Sequence, residues 1–80
     1  MTLDQLPVGF SAVVLSVAGN ATLAQRLAEQ GLFPGEMIEH FGTAPLGDPL
    51  EIVVGGTHLS LRKADAALIH VQPASSSDPS

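Results

Sequence analysis

Three histidines, His40, His58 and His70, are the residues of this chain best suited to hold a metal ion. Imidazole nitrogen suits Fe²⁺ and Zn²⁺ alike. Each histidine falls on a different predicted strand, and no two share the i, i+2 or i, i+4 spacing of a local pair. Convergent ligands must also be oriented by partners of their own. The expectation is therefore three separate surface histidines and no metal site. The carboxylates Asp4, Glu29, Glu36, Glu39, Asp48, Glu51, Asp65 and Asp78 are spread along the chain rather than clustered into a cation loop. The close pair Glu36 and Glu39 should point to opposite faces of a strand. Nucleophilic chemistry is equally unsupported. There is no cysteine, and Ser11, Ser16 and Ser60 lie outside any G-x-S-x-G setting. The stretch VAGNAT, 17–22, lacks the lysine that reaches a phosphate. No catalytic residue and no cofactor is expected.

The totals narrow the partners. With 3 Lys and Arg against 8 Asp and Glu, the net charge is −5. Nucleic acid needs clustered cations for its phosphates, and an anionic membrane surface attracts the same groups. Arg26, Arg62 and Lys63 are too few for either. No apolar run approaches the roughly 20 residues that span a bilayer. The opening MTLDQLPVG has no basic stretch followed by an apolar block, so a secretion signal is not expected there. Without cysteine there is no disulfide, which fits a reducing compartment. At 80 residues the chain makes one small domain, and its 45% apolar content is enough to build a core.

The elements follow from local chemistry. Gly9 to Asn20 reads as a strand, with Phe10, Ala12 and Val14 on one face and Val13, Leu15 and Val17 on the other. Such a strand is expected to be covered on both sides, or to pass between parts of a curled sheet. Residues 20–31 read as a helix. Asn20 is its N-cap, Leu23, Leu27 and Ala28 form its apolar stripe, and Gly31 ends it. If Gly31 takes the left-handed cap position, Leu27 and Leu32 should touch in a Schellman motif. Pro34-Gly35 fits the centre of a type II turn. Residues 36–44 alternate as a strand, and PLGDP, 45–49, is a rigid loop in which Asp48 should brace its own turn. Residues 50–54 and 57–61 form a hairpin about Gly55-Gly56. A short helical turn is expected near 63–67, and a closing strand over 68–71. The folded domain is expected over 1–72, with a disordered tail over 73–80. Five strands in this length should curl into a small barrel that hides its edges.

In this order the residues resemble the FeoA family of ferrous iron transport proteins. The match rests on RLAEQGLFPGEMI, 26–38, APLGDPLEIVVGGTHLSLRKADAALIHV, 44–71, and the opening strand LPVGFSAVV, 6–14. Each piece alone is weak, and the ordered set is specific. The resemblance implies a mainly β, SH3-like barrel with one inserted helix. It implies a cytoplasmic, non-enzymatic accessory of bacterial iron uptake, docking on the FeoB transporter and modulating its gating or GTPase cycle. The runner-up is a metal-responsive regulatory module like the C-terminal domain of iron-dependent repressors. The chain departs from many relatives at Gly42 and Thr43, where they carry basic residues. It departs again at Thr57-His58, where an aromatic with a basic residue is common.

With chemistry excluded, a contact surface remains. The helix and its exit place Leu23, Arg26, Leu27, Leu32 and Phe33 near one another, and the rigid loop adds Leu46 and Asp48. Aromatic and arginine anchors are typical of binding hot spots. Leu27 and Leu32 are expected to seal the core, whereas Leu23, Arg26, Phe33, Leu46 and Asp48 are the candidate partner-binding residues. A GTPase partner also raises a rival role for Arg26, as an arginine finger. The chain is expected to be monomeric.

Overall fold

The computed structural model describes residues 1–74. The strands are β1 (Ser11–Val17), β2 (Met37–Thr43), β3 (Leu50–Val54), β4 (Thr57–Leu61) and β5 (Ile69–Pro73). They form one antiparallel sheet in the order β4-β3-β2-β1-β5. Helix α1 (Ala21–Glu29) is inserted between β1 and β2, and the single turn α2 (Lys63–Ala66) joins β4 to β5. The mainly β class, the strand count and both helices agree with the sequence reading. Gly55 and Gly56 have φ of +58° and +80° at the β3-β4 hairpin. That is the pair of positive angles a two-residue turn of type I′ demands.

Inward-facing residues alternate along the strands, as Ala12 and Val14, Ile38 and His40, Leu50, Ile52 and Val54, and Ile69 and Val71 do. The core is aliphatic. The three phenylalanines, Phe10, Phe33 and Phe41, all stand at the surface. Two bulges shape the sheet. Leu15 is the extra residue of β1 between the pairs Val14↔Val71 and Ser16↔His70. Phe41 is the extra residue of β2 between His40↔Ile52 and Gly42↔Glu51. A bulge re-aims side chains, and Leu15 and Phe41 are 51% and 59% exposed. The outer face of β1 is thus only partly covered, so the first of the two expectations for this strand, cover on both sides, does not hold.

The helix termini are as the sequence implies. The Asn20 side chain accepts from the Leu23 amide at 2.8 Å. At the other end the Leu32 amide donates to Leu27 O and the Gly31 amide to Ala28 O, both at 2.9 Å. These are the two bonds of a Schellman cap, and Leu27 and Leu32 are both buried in the core. Gly31 has φ +95°, with open space where a Cβ would stand. Gly31→Ala therefore meets no clash, only the left-handed backbone penalty of about 1–2 kcal/mol. Urea unfolding should show that loss.

One core component was not anticipated. A 3-10 turn at Leu3–Gln5 carries Leu3 and Leu6 into the core. Ahead of it, Met1 and Val71 exchange backbone bonds and Thr2 bridges His70, so this segment covers the free edge of β5. At the other terminus, Pro73 closes β5 and the Ala74 amide donates to Ser11 O. The remainder of the expected tail, 75–80, lies outside the described residues.

Candidate functional site

Helix α1 is the element around which candidate residues gather. It rests on the core through Leu23 and Leu27. At 100° per residue, this leaves Ala24 and Ala28 on one flank, Thr22 and Arg26 on the other, and Gln25 on the crest between them. Each flank borders a depression. The first is a groove of about 390 Å³ between α1 and the exit turn, walled by Val17, Ala24, Ala28, Leu32, Phe33 and Pro34. Its lining is almost wholly apolar, with Ser16 and Gln25 at the rim. The second is a pocket of about 370 Å³ bordered by Asn20, Thr22, Leu23, Arg26, Asp65 and Leu68. It is polar, and it carries a cation on α1 and a carboxylate on α2. Arg26 and Asp65 border the same pocket, and Arg26 is exposed.

Phe33 is held in place by backbone bonds. The Glu36 amide donates to Phe33 O at 3.1 Å across Pro34-Gly35, and Gly35 has φ +96°. A positive φ at the second central position is what a type II turn requires. The turn is then tied to β1, since the Gly35 amide donates to Val14 O and the Val14 amide to Glu36 O. These bonds fix the backbone that carries Phe33, and its side chain is 41% exposed.

The five candidate contact residues do not form one patch. Leu23 is a core residue that only edges the polar pocket, where Arg26 stands exposed. Phe33 belongs to the groove on the opposite flank. Leu46 stands 95% exposed in the 44–49 loop. Asp48 does not brace its own turn as expected. Its Oδ1 accepts from the Lys63 amide at 2.9 Å, so it holds the first turn of α2 from fifteen residues away. A free N–H at a helix start is a strong claimant for a nearby carboxylate.

The histidine reading needs one correction. His58 and His70 are exposed, but His40 is 4% exposed and sits in the core. Its Nδ1 lies 2.6 Å from Leu6 O and its Nε2 lies 2.9 Å from Thr43 Oγ1. A carbonyl can only accept, so Nδ1 carries the proton. The Phe41 bulge makes this possible, because it brings residues 40 and 43 onto the same face of β2. Among the described residues no group of three His, Asp or Glu is placed to hold a metal. Among the described residues no helix is long and apolar enough to cross a membrane.

Comparison with known proteins gives these features a frame. The family profile for the FeoA domain matches residues 1–73. A fusion protein of Fe(2+) transport protein A with the Fe(2+) transporter FeoB, from Porphyromonas gingivalis, is 37% identical over 76 residues. The alignment covers 95% of this chain and only 9% of that protein. The solution structure of FeoA from Chlorobium tepidum superposes with a TM-score of 0.90 at 36% identity, over 94% of this chain and 71% of that one. The zinc-complexed crystal structure of FeoA from Stenotrophomonas maltophilia, described as a prokaryotic SH3 domain protein, superposes with a TM-score of 0.77 at 39% identity. It covers 90% of this chain and 89% of that one. The fold is SH3-like.

Proposed function

This chain belongs to the FeoA family, and from that premise we propose that it is a cytoplasmic accessory of ferrous iron uptake that docks on a FeoB transporter and alters its gating or GTP hydrolysis. One observation carries the reading. In the P. gingivalis relative, a segment alike over 95% of this chain is joined to FeoB in a single polypeptide. Covalent linkage holds two domains at the high effective concentration that a joint action at one place exploits. The mixed apolar and polar relief around α1 supplies a surface for such a contact, and Phe33 and Arg26 are residue types that anchor contacts. The loop residues Leu46 and Asp48 line neither depression.

The test is a titration of this protein against the cytoplasmic part of the FeoB encoded in the same genome, with and without GTP. Saturable one-to-one binding, with a changed rate of GTP hydrolysis or iron uptake, is the expected result. No binding in any nucleotide state, extended to full-length transporter in membranes, overturns the reading. A parallel titration with Fe²⁺ and Zn²⁺ addresses the metal-responsive alternative. Tight stoichiometric uptake, lost on replacing His58 or His70, would favour it.

A further inference from the structure

We propose that the partner straddles α1, placing a bulky apolar side chain in the groove on one flank and a carboxylate against Arg26 on the other. This deepens the docking reading above and rests on it. The occupant is one segment of the transporter's cytoplasmic part, and its chemistry is set by the two depressions. The groove offers Ala24 and Ala28 as a low wall and Phe33 with Pro34 as the opposite one. Small residues on the helix leave the space, and an aliphatic or aromatic side chain is what such a lining favours. The pocket on the other flank offers Arg26, which is the only cation of α1 and is exposed. A guanidinium selects a carboxylate, through a planar two-pronged bond. Asp65 on the facing wall sets a second condition. The carboxylate must arrive beside an N–H donor or an ammonium that satisfies Asp65, since a lone anion there would meet like charge.

Geometry fixes the spacing. The depressions lie on opposite flanks of one helix, so the partner's apolar and acidic groups must be about 10 Å apart, the width of a helix with its side chains. The crest between them carries Gln25 and Glu29, both exposed and neither large and apolar, so the partner can pass over it without filling a further cavity. This arrangement makes Arg26 a binding residue. The finger role makes a different claim, that removing Arg26 leaves binding intact and abolishes stimulation.

The experiment is a calorimetric titration of four forms of this protein against the cytoplasmic part of FeoB. They are wild type, Arg26→Glu, Ala28→Glu and, as a remote control, Phe41→Ala on the β2 bulge. All three changed positions are exposed, and thermal unfolding verifies that each variant is folded. Arg26→Glu and Ala28→Glu are each expected to weaken binding at least about tenfold, as loss of a hot-spot contact does, with Phe41→Ala within about twofold of wild type. If wild type binds and both helix variants bind equally well, the inference is overturned and the docking reading stands. Weakening by Phe41→Ala alone would likewise overturn it, by moving the contact to the outer sheet face. If wild type does not bind at all, the docking reading fails and the inference fails with it.

Discussion

His40→Ala is expected to destabilise the domain by about 3–5 kcal/mol, a large share of its total stability. Two effects add. The Leu6 carbonyl is buried and bonded to His40 Nδ1, so removal of the ring orphans an acceptor at roughly 1–3 kcal/mol. Removal of the ring also leaves a cavity in the core, at a cost of roughly 2 kcal/mol. The Thr43 hydroxyl adds little, because Thr43 is exposed and can turn to water. A domain of 80 residues has roughly 4–12 kcal/mol in total, at 0.05–0.15 kcal/mol per residue. His40→Asn provides the check on mechanism, because its side-chain NH₂ can still donate to Leu6 O. It should recover about 1–2 kcal/mol of the loss in urea unfolding. Equal losses for Ala and Asn would mean that the ring acts by packing alone.

That residue also marks the limit of what could be read from the chain. Features set by neighbours in sequence were legible. The Gly55-Gly56 hairpin, the Asn20 cap, the pairing of Leu27 with Leu32 across Gly31 and the Pro34-Gly35 turn each depend on a few adjacent residues. In each, a residue type is tied to one backbone geometry. Features set across the fold were not legible. His40 shares its face of β2 with Ile38, and that two-residue spacing was the available signal for burial. What the sequence does not display is the acceptor, Leu6 O, which comes from a segment 34 positions away. The bulges at Leu15 and Phe41 are invisible for the same reason, since they are properties of the pairing between strands. Asp48 looked like a turn residue and serves α2 instead, because its carboxylate reaches an amide that only the closed fold brings near. The candidate contact residues fared similarly. Arg26 and Phe33 stood out by type, but their separation onto opposite flanks of α1 required the helix to be laid on its core.

The N-terminal segment provides the second large effect. Leu3→Ala should cost about 2–5 kcal/mol, the range for truncating a fully buried leucine. Leu46→Ala, the same chemical change, should cost less than about 0.5 kcal/mol. Nothing in MTLDQLPVG distinguishes Leu3 from a solvated lead-in. It has no period, and its 3-10 turn is only three residues long. Burial makes the difference, because Leu3 is 0% exposed and Leu46 is 95% exposed. A methyl-for-isobutyl exchange removes contacts only where contacts exist. The consequence extends to the sheet. The segment that Leu3 anchors supplies the Met1 and Thr2 pairing on the outer edge of β5, so releasing it would bare a strand edge that neighbouring chains can extend. Leu3→Ala should therefore lose stability and also gain a tendency to associate, readable together by urea unfolding and by light scattering at rising protein concentration. A loss below about 1 kcal/mol would show that the opening residues lie on the core without being part of it.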